Sequence, residues 1–214
     1  MRICKRLNEL DDSFSQHMRK IEELVKHESR TNPTLFYRML FPYIIVQMAN
    51  TWGSFLKHYY LSCAVGTKST SKQLFYSPVT NDINQALGLI ITRYKPTASA
   101  RPDGTWHRRD EPTWHDYNTM LSGSTVLNLN NDILINNAFS SPNRVFKDLV
   151  VFRNFFAHKN KGTEQAARLL ALQYGIPSTY RPSSILMQKA TSRTQEIIYD
   201  WIDELVFTCN YLCY

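Results

Sequence analysis

One stretch, residues 145–161, constrains the fold of this chain more than any other. It reads VFKDLVVFRNFFAHKNK. At 100° per residue, an α-helix places four of its apolar side chains within about 60° of one another. They are Val145, Leu149, Phe152 and Phe156. Because a stripe of this kind packs against a core, the stretch predicts a core-facing helix.

The polar residues of this helix lie away from the stripe. Arg153 falls at its edge, whereas Asn154 and His158 share a face roughly opposite to it. Arg153 and His158 are five residues apart, so about 140° separates them on an ideal helix. They would not meet on one straight helix, but both could line a groove that a second helix or a second subunit closes.

Length and composition indicate an ordinary globular protein. The chain has 214 residues, which suits one domain with elaborations or at most two small ones. Hydrophobic residues make up 43% and charged residues 20%. The formal net charge of +7 favours an anionic partner, nucleic acid first, although a solvated basic surface explains the charge equally well.

No apolar run is long enough for a membrane span, and we find no secretory signal pattern. The four cysteines, Cys4, Cys63, Cys209 and Cys213, match no zinc-site spacing. Cys209 and Cys213 lie one turn apart, which suggests a packing role. We therefore expect a cytoplasmic, thiol-reduced protein with no metal and no cofactor.

Apolar periodicity predicts an all-α protein of about six or seven helices with little sheet. The first predicted helix covers about 11–29, and a second helical region opens at Pro33 and is kinked or split at Pro42. The central core helix is predicted at 43–65, and the next helix at 81–94, with Thr80, Asn81 or Asp82 as its cap. The motif helix starts near 140–143, a further helix covers 163–174, and one or two helices lie within 183–214. The stretch 120–134 fits a short strand or a helix.

A long polar loop is predicted at 95–116, as an insertion that extends to about residue 120, because Pro and Gly recur there. Two Thr-Trp-His triplets, with Trp106 and Trp114 at their centres, flank Arg108 and Arg109. Aromatic rings that stack on bases, interleaved with guanidinium groups that meet phosphates, suit single-stranded RNA. The alternative is that the two Trp rings pin the loop to the body of the protein.

The hexapeptide Arg153-Asn154-Phe155-Phe156-Ala157-His158 resembles the signature of the HEPN superfamily of all-α ribonucleases. That signature is an Arg, four to six residues and a His, commonly with a polar residue after the Arg. The pairs Arg101–His107 and Arg109–His115 also satisfy the spacing, but they lie in the polar loop. The resemblance implies a single HEPN-like helical bundle spanning residues 1–214.

The resemblance further implies metal-independent cleavage of RNA by its own 2′-hydroxyl, which leaves a 2′,3′-cyclic phosphate. His158 is then the general acid or base, and Arg153 stabilises the charge of the transition state. Asn154 orients the imidazole or contacts the phosphate. Many family members are toxins or antiviral effectors, so a regulatory partner such as an antitoxin is a further expectation.

The resemblance also implies a homodimer whose two motifs face each other across one cleft. Val151 and Phe155 project near His158 and away from the core stripe, and they supply the second packing surface that this arrangement needs. The cationic side chains around the motif are expected to attract the RNA backbone. They are Arg144, Lys147, Lys159 and Lys161. Some HEPN toxins carry a modifiable Tyr two residues after the His, where this chain has Asn160.

Structural roles offer an alternative for each motif residue. An Arg beside an apolar stripe can extend to solvent or pair with a carboxylate such as Asp148. A His near a helix C-terminus interacts favourably with the helix dipole, and Gly162 would then be the C-cap. The competing function is a non-catalytic HEPN-like helical module that dimerises and binds RNA or a partner protein. No segment fits a DNA-binding helix-turn-helix.

Overall fold

The structure is a computed structural model that describes residues 6–140, 144–191 and 193–214, without the side chains of Tyr117 and Met120. It is mostly helical, with 68% helix and 3% strand, which confirms the all-α prediction. The predicted roles of Cys4 and of 141–143 at the start of the motif helix lie outside the described residues.

The described residues contain more helices than the six or seven expected. The helices are α1 (Leu7–Thr31), α2 (Pro33–Leu35), α3 (Phe41–Val65), α4 (Ile83–Tyr94), α5 (Tyr117–Leu127), α6 (Asp132–Ser140), α7 (Val145–His158), α8 (Lys161–Gln173), α9 (Pro182–Ile185) and α10 (Ile197–Cys213). A π-helical segment, Phe36–Leu40, joins α2 to α3, so Pro42 lies in the first turn of α3, where a missing N–H is tolerated.

Two compact units make up the chain, and the boundaries between them fall within α1, α3 and α10 and just before α7. One unit comprises 1–14, 52–143 and 208–214, and it holds the long loop. The other comprises 15–51 and 144–207, and it holds the motif helix α7. The prediction of a single domain stays a prediction.

The unit that holds α7 buries the predicted apolar stripe. Val145, Leu149 and Phe152 are at most 1% exposed. Phe152 packs edge-on against Trp201 of α10, with ring centroids 5.7 Å apart. Phe156 packs edge-on against Phe41 of α3, with centroids 6.0 Å apart. These aromatic contacts fix which face of α7 turns away from the core.

In the other unit, an aromatic cluster centres on α3. Trp52 stacks on Phe55, and Phe14 of α1 contacts both rings. Tyr59 follows one turn later, and its hydroxyl accepts a hydrogen bond from Asn131 Nδ2 at 2.8 Å. The predicted central core helix is therefore confirmed for this part of α3.

The helix predicted at 81–94 is confirmed as α4, and Asp82 is the capping residue because its side chain accepts from Gln85 N at 2.8 Å. The stretch 120–134 contains two helices and a turn: α5 ends at Leu127, its C-cap Asn128 takes a left-handed conformation (φ 49°), and α6 begins at Asp132. The loop ends at Asp116, so residues 117–120 belong to α5 rather than to the insertion.

Outside the helices, the described residues include a two-stranded antiparallel hairpin. Its strands are β1 (Thr67–Lys68) and β2 (Leu74–Phe75). Over the part of the chain that the structure describes, no helix combines the length and apolar content that crossing a membrane requires.

Candidate active site

The motif helix α7 positions its polar residues through the burial of its stripe. Arg144 occupies the N-cap position, and its side chain makes no capping bond. At the other end, Lys159 takes a left-handed conformation (φ 41°), and its N–H donates to Phe155 O at 2.8 Å. Lys159 thus replaces Gly162 as the residue that ends the helix, which corrects the predicted C-cap.

A new helix starts immediately after this turn. Asn160 is the N-cap of α8, and it forms a capping box with Thr163, in which each side chain bonds the other residue's backbone N–H. Gly162 therefore lies within the first turn of α8. The tight α7–α8 turn places Lys159 and Lys161 at the surface beside the end of the motif helix.

Arg153 is half-buried, and its guanidinium group has few partners. Its Nη1 donates to Asn154 Oδ1 at 3.1 Å. Its Nε is buried and has no hydrogen-bond acceptor among the described residues. No acidic side chain of those residues pairs with it, so the structural alternative of an Arg153–carboxylate ion pair is not what the structure shows.

His158 is the last residue of α7 and is exposed. Within the described part of the chain, no hydrogen bond or ion pair engages its imidazole, and none joins it to Arg153 or Asn154. A single chain therefore presents His158 to solvent and leaves Arg153 separate from it, as the helical angle of about 140° predicts.

The predicted second apolar face of α7 is only partly covered. Val151 and Phe155 are both half-buried. Phe155 contacts its neighbour Phe156 edge-on, with ring centroids 5.0 Å apart. Their assignment to a dimer interface stays a prediction.

A buried polar cluster near the start of α7 was not predicted from the sequence. Asp148 is 2% exposed and accepts a hydrogen bond from the Tyr174 hydroxyl at 2.6 Å. Trp201 Nε1 donates to the same hydroxyl at 3.0 Å. Arg144 pairs with Asp148 across 3.3 Å. Burial raises the pKa of Asp148, although the bonds from Tyr174 and Arg144 oppose that shift.

This cluster changes the interpretation of Arg144. Its guanidinium neutralises a buried carboxylate, so a structural role accompanies the predicted contact with RNA. Lys147, on the next part of the helix, is exposed. Their predicted contacts with the RNA backbone stay predictions.

The cluster continues to Glu204 of α10. Burial raises the pKa of Glu204 to about 7; Arg193 opposes this shift, and the charges of Asp200 and Asp148 add to it. Arg193 Nη2 lies 4.0 Å from Glu204 Oε1. The contacts of this cluster join α7, the end of α8 and α10, which are distant in the sequence. They produce no short-range sequence pattern, so the sequence could not predict them.

Both Trp side chains of the long loop anchor it. Trp114 is 9% exposed, and its Nε1 donates to Glu111 Oε2 at 2.9 Å. Trp106 is half-buried, and its Nε1 donates to Asn84 O at 3.0 Å. Its indole packs so closely over Gly88 that a Cβ there would lie 2.6 Å from Cζ2. The burial of Trp114 and the contacts of Trp106 with α4 favour the anchoring alternative for both rings, while part of the Trp106 ring stays accessible.

Arg108 and Arg109 lie in a short 3₁₀ turn, Arg108–Asp110, and both are exposed. Their predicted contact with RNA stays a prediction. The same loop contains a contact that the sequence did not predict as functional: Arg101 Nη2 donates to His107 Nδ1 at 3.0 Å. Of the Arg–His pairs with the motif spacing, this pair therefore meets directly in the structure.

No group of three or more His, Cys, Asp or Glu side chains suited to a metal ion occurs within residues 6–140, 144–191 and 193–214. No protein-family model, curated protein or solved structure matches the chain. The resemblance to the HEPN superfamily consequently stays a prediction that depends on the residues of α7.

Proposed function

We propose that this protein is a HEPN-like endoribonuclease that cleaves RNA through the 2′-hydroxyl without a metal ion and acts as a homodimer. The observation that carries the proposal is the state of Arg153, which is half-buried on a core helix with a buried Nε that has no acceptor among the described residues. A cationic group kept without an acidic partner is suited to an anion that arrives from outside.

The chemistry follows from the groups at the end of α7. His158 is exposed, and an imidazole can both accept and donate a proton, so it can take the proton of the 2′-hydroxyl or deliver one to the leaving oxygen. The guanidinium of Arg153 stabilises the negative charge that develops on the phosphate. Asn154, which accepts from Arg153 Nη1, holds the guanidinium in place.

The dimer supplies what one chain lacks. Since Arg153 and His158 lie on different faces of α7, a complete site requires the Arg153 of one protomer to approach the His158 of the other, or the two motifs to share one cleft. Val151 and Phe155 are the half-buried apolar side chains available for that contact. A toxin or antiviral role, and an antitoxin or other regulatory partner, belong to this proposal by analogy with the family.

The first experiment compares RNA cleavage by the wild type and His158→Ala, with both proteins purified in EDTA. His27→Ala is the matched control, because His27 is also an exposed histidine on a helix. We expect the wild type and His27→Ala to cut total RNA, and His158→Ala to be folded but inactive. Equal cutting by all three proteins would assign the activity to another site or to a contaminant.

The non-catalytic alternative is a helical module that dimerises and binds RNA or a partner protein, and the observation in its favour is that Arg153 and His158 do not meet within one chain. Phe155→Glu tests whether the surface that contains Phe155 forms the dimer and whether cleavage depends on that dimer. We expect light scattering to show a monomer and cleavage to be lost, while Gln165→Glu, which adds the same charge at an exposed position of α8, leaves both unchanged. RNA binding by a wild-type dimer that cuts no RNA would favour the alternative.

A further inference from the structure

The long loop encloses a polar cavity that the proposed ribonuclease site does not use. It has a volume of about 310 Å³ and is formed within the segment 95–110. Lys95, Arg101 and Arg109 contribute its cationic side chains, and Asp110 contributes its one carboxylate. Thr97 and Ser99 add hydroxyl groups, and His107 adds an imidazole.

The charges in this cavity are not balanced. Lys95 forms an ion pair with Asp110, which is 8% exposed, and this contact lowers the pKa of the carboxyl group. Arg101 and Arg109 have no acidic partner within 4.0 Å among the described residues. Two guanidinium groups without a direct ion pair, beside two hydroxyl groups, suit a phosphate, because a guanidinium can donate two parallel hydrogen bonds to its oxygens.

Arg101 is held in position by its neighbour. Its Nη2 and Nε lie 3.0 Å and 3.3 Å from His107 Nδ1. A guanidinium group donates and never accepts, so His107 Nδ1 is the acceptor in this contact. The turn that precedes His107 is also fixed, since Thr105 N and Oγ1 both donate to Asp103 Oδ1, at 3.0 Å and 2.6 Å.

A second, more apolar cavity adjoins the first at Ala100, which lines both. Its volume is about 670 Å³, and the accessible part of the Trp106 indole forms one wall. Leu89 and Gly88 of α4 provide apolar surface, and Asn84 and Gln85 also line the cavity. Aromatic surface beside amide groups suits a nucleobase, which stacks on the ring and bonds through its edge.

Both volumes lie within the range of about 300–1,000 Å³ that is typical of small-molecule sites. We propose that the loop 95–110 is a binding site for a nucleoside phosphate, with the phosphate between Arg101 and Arg109 and the base against Trp106. The ligand is either a free nucleotide or one nucleotide of a single-stranded RNA, since both present the same groups. The site does not depend on His158 or Arg153.

The test uses the full-length His158→Ala protein, so that any RNA probe stays intact. AMP, adenosine, inorganic phosphate and a short single-stranded oligoadenylate are titrated separately by calorimetry. We expect AMP or the oligoadenylate to bind saturably, and adenosine and phosphate to bind more weakly. Tighter binding of AMP assigns the site to free nucleotides, and tighter binding of the oligoadenylate assigns it to RNA.

The variants Arg101→Gln and Arg109→Gln should each weaken binding roughly tenfold or more, because each removes a charge-assisted hydrogen bond to the phosphate. Arg108→Gln is the matched control: Arg108 is adjacent and exposed, but it does not line the cavity. Binding that falls equally in Arg108→Gln would indicate general attraction to a basic surface and would overturn the proposal, as would the absence of binding by both AMP and the oligoadenylate.

Discussion

Arg153 Nη1 donates a hydrogen bond to the side chain of its neighbour Asn154, at 3.1 Å, while the buried Nε of the same guanidinium has no acceptor among the described residues. A structural arginine at this depth would be expected to satisfy its donors with a carboxylate or carbonyl oxygen. This incomplete bonding supports the proposal that Arg153 binds an anion.

The first prediction separates these two roles. Arg153→Met keeps the apolar stem and removes the incompletely bonded guanidinium group. The free energy of unfolding should stay equal or rise by up to about 1 kcal/mol, because a buried unsatisfied donor is removed. RNA cleavage should fall by about 100-fold or more, as for the loss of a group that stabilises the transition state. A loss of several kcal/mol in urea unfolding would show instead that Arg153 is structural.

The second prediction concerns the Tyr174–Asp148 hydrogen bond. Tyr174→Phe leaves the Asp148 carboxylate with one bond fewer and leaves Trp201 Nε1 without its acceptor. We expect urea unfolding to show a loss of about 1–3 kcal/mol, the usual cost of unsatisfied buried polar groups. Tyr180→Phe is the control, since Tyr180 is 41% exposed. Equal stabilities of the two variants would contradict this role.

The third prediction concerns the pH dependence of stability. Because burial raises the pKa of Glu204 to about 7, the folded protein binds a proton at pH values where the unfolded carboxyl, with an ordinary pKa of about 4.3, has lost it. The contribution of protonated Glu204 to the stability of the folded protein is complete below about pH 4.3 and is lost as pH rises through about 7. Asp148, whose pKa is also raised by burial, acts in the same direction.

Glu204→Gln keeps the shape of the protonated side chain and cannot titrate. Between pH 5 and pH 8, the free energy of unfolding of the wild type should fall relative to that of the variant by roughly 1–3 kcal/mol. Urea unfolding of both proteins across this range measures the difference. Parallel pH profiles would mean that Glu204 titrates normally.

The fourth prediction tests the anchor of the loop. In Gly88→Ala, the new Cβ would lie 2.6 Å from Trp106 Cζ2, so the indole must leave its place over α4. We expect faster proteolysis within 95–110 and a red shift of Trp fluorescence. Gly162→Ala is the control, because the nearest atom to its Cβ, Asn160 Oδ1, is 3.4 Å away. Unchanged proteolysis of Gly88→Ala would show that the loop is held elsewhere.

Much of the fold was predictable because its signals are local. The stripe of α7 and the Asp82 cap of α4 are patterns within a few residues, and both are confirmed. The break between α5 and α6 was not predicted, because Asn128 takes the left-handed conformation without a Gly or Pro to mark it. The end of α7 was not predicted at Lys159 for the same reason, because Lys159 takes the left-handed conformation although it is not a glycine. Gly162 was predicted as the C-cap instead, and that prediction was wrong.

In the candidate site too, the local features were predictable from the sequence and the long-range contacts were not. The sequence placed Arg153, Asn154 and His158 on their faces of α7, because helical geometry alone determines that. It could not pair Asp148 with Tyr174, 26 residues away, or show that Arg101 reaches His107, because both contacts depend on how distant segments or an irregular loop fold back. The presence of three arginines, a lysine and a histidine within 95–109 was the available signal for the proposed nucleotide site.

The most direct test of the account is the chemistry of the cut. A 5′-labelled single-stranded RNA is incubated in EDTA with the wild type, the cleavage position is mapped, and the same RNA is made with a single 2′-deoxy nucleotide there. The proposed mechanism predicts cleavage of the RNA to a 2′,3′-cyclic phosphate, no cleavage at the deoxy position, and no cleavage by His158→Ala. Equal cleavage of the deoxy substrate, or no cleavage of any RNA by the wild-type dimer, would contradict it.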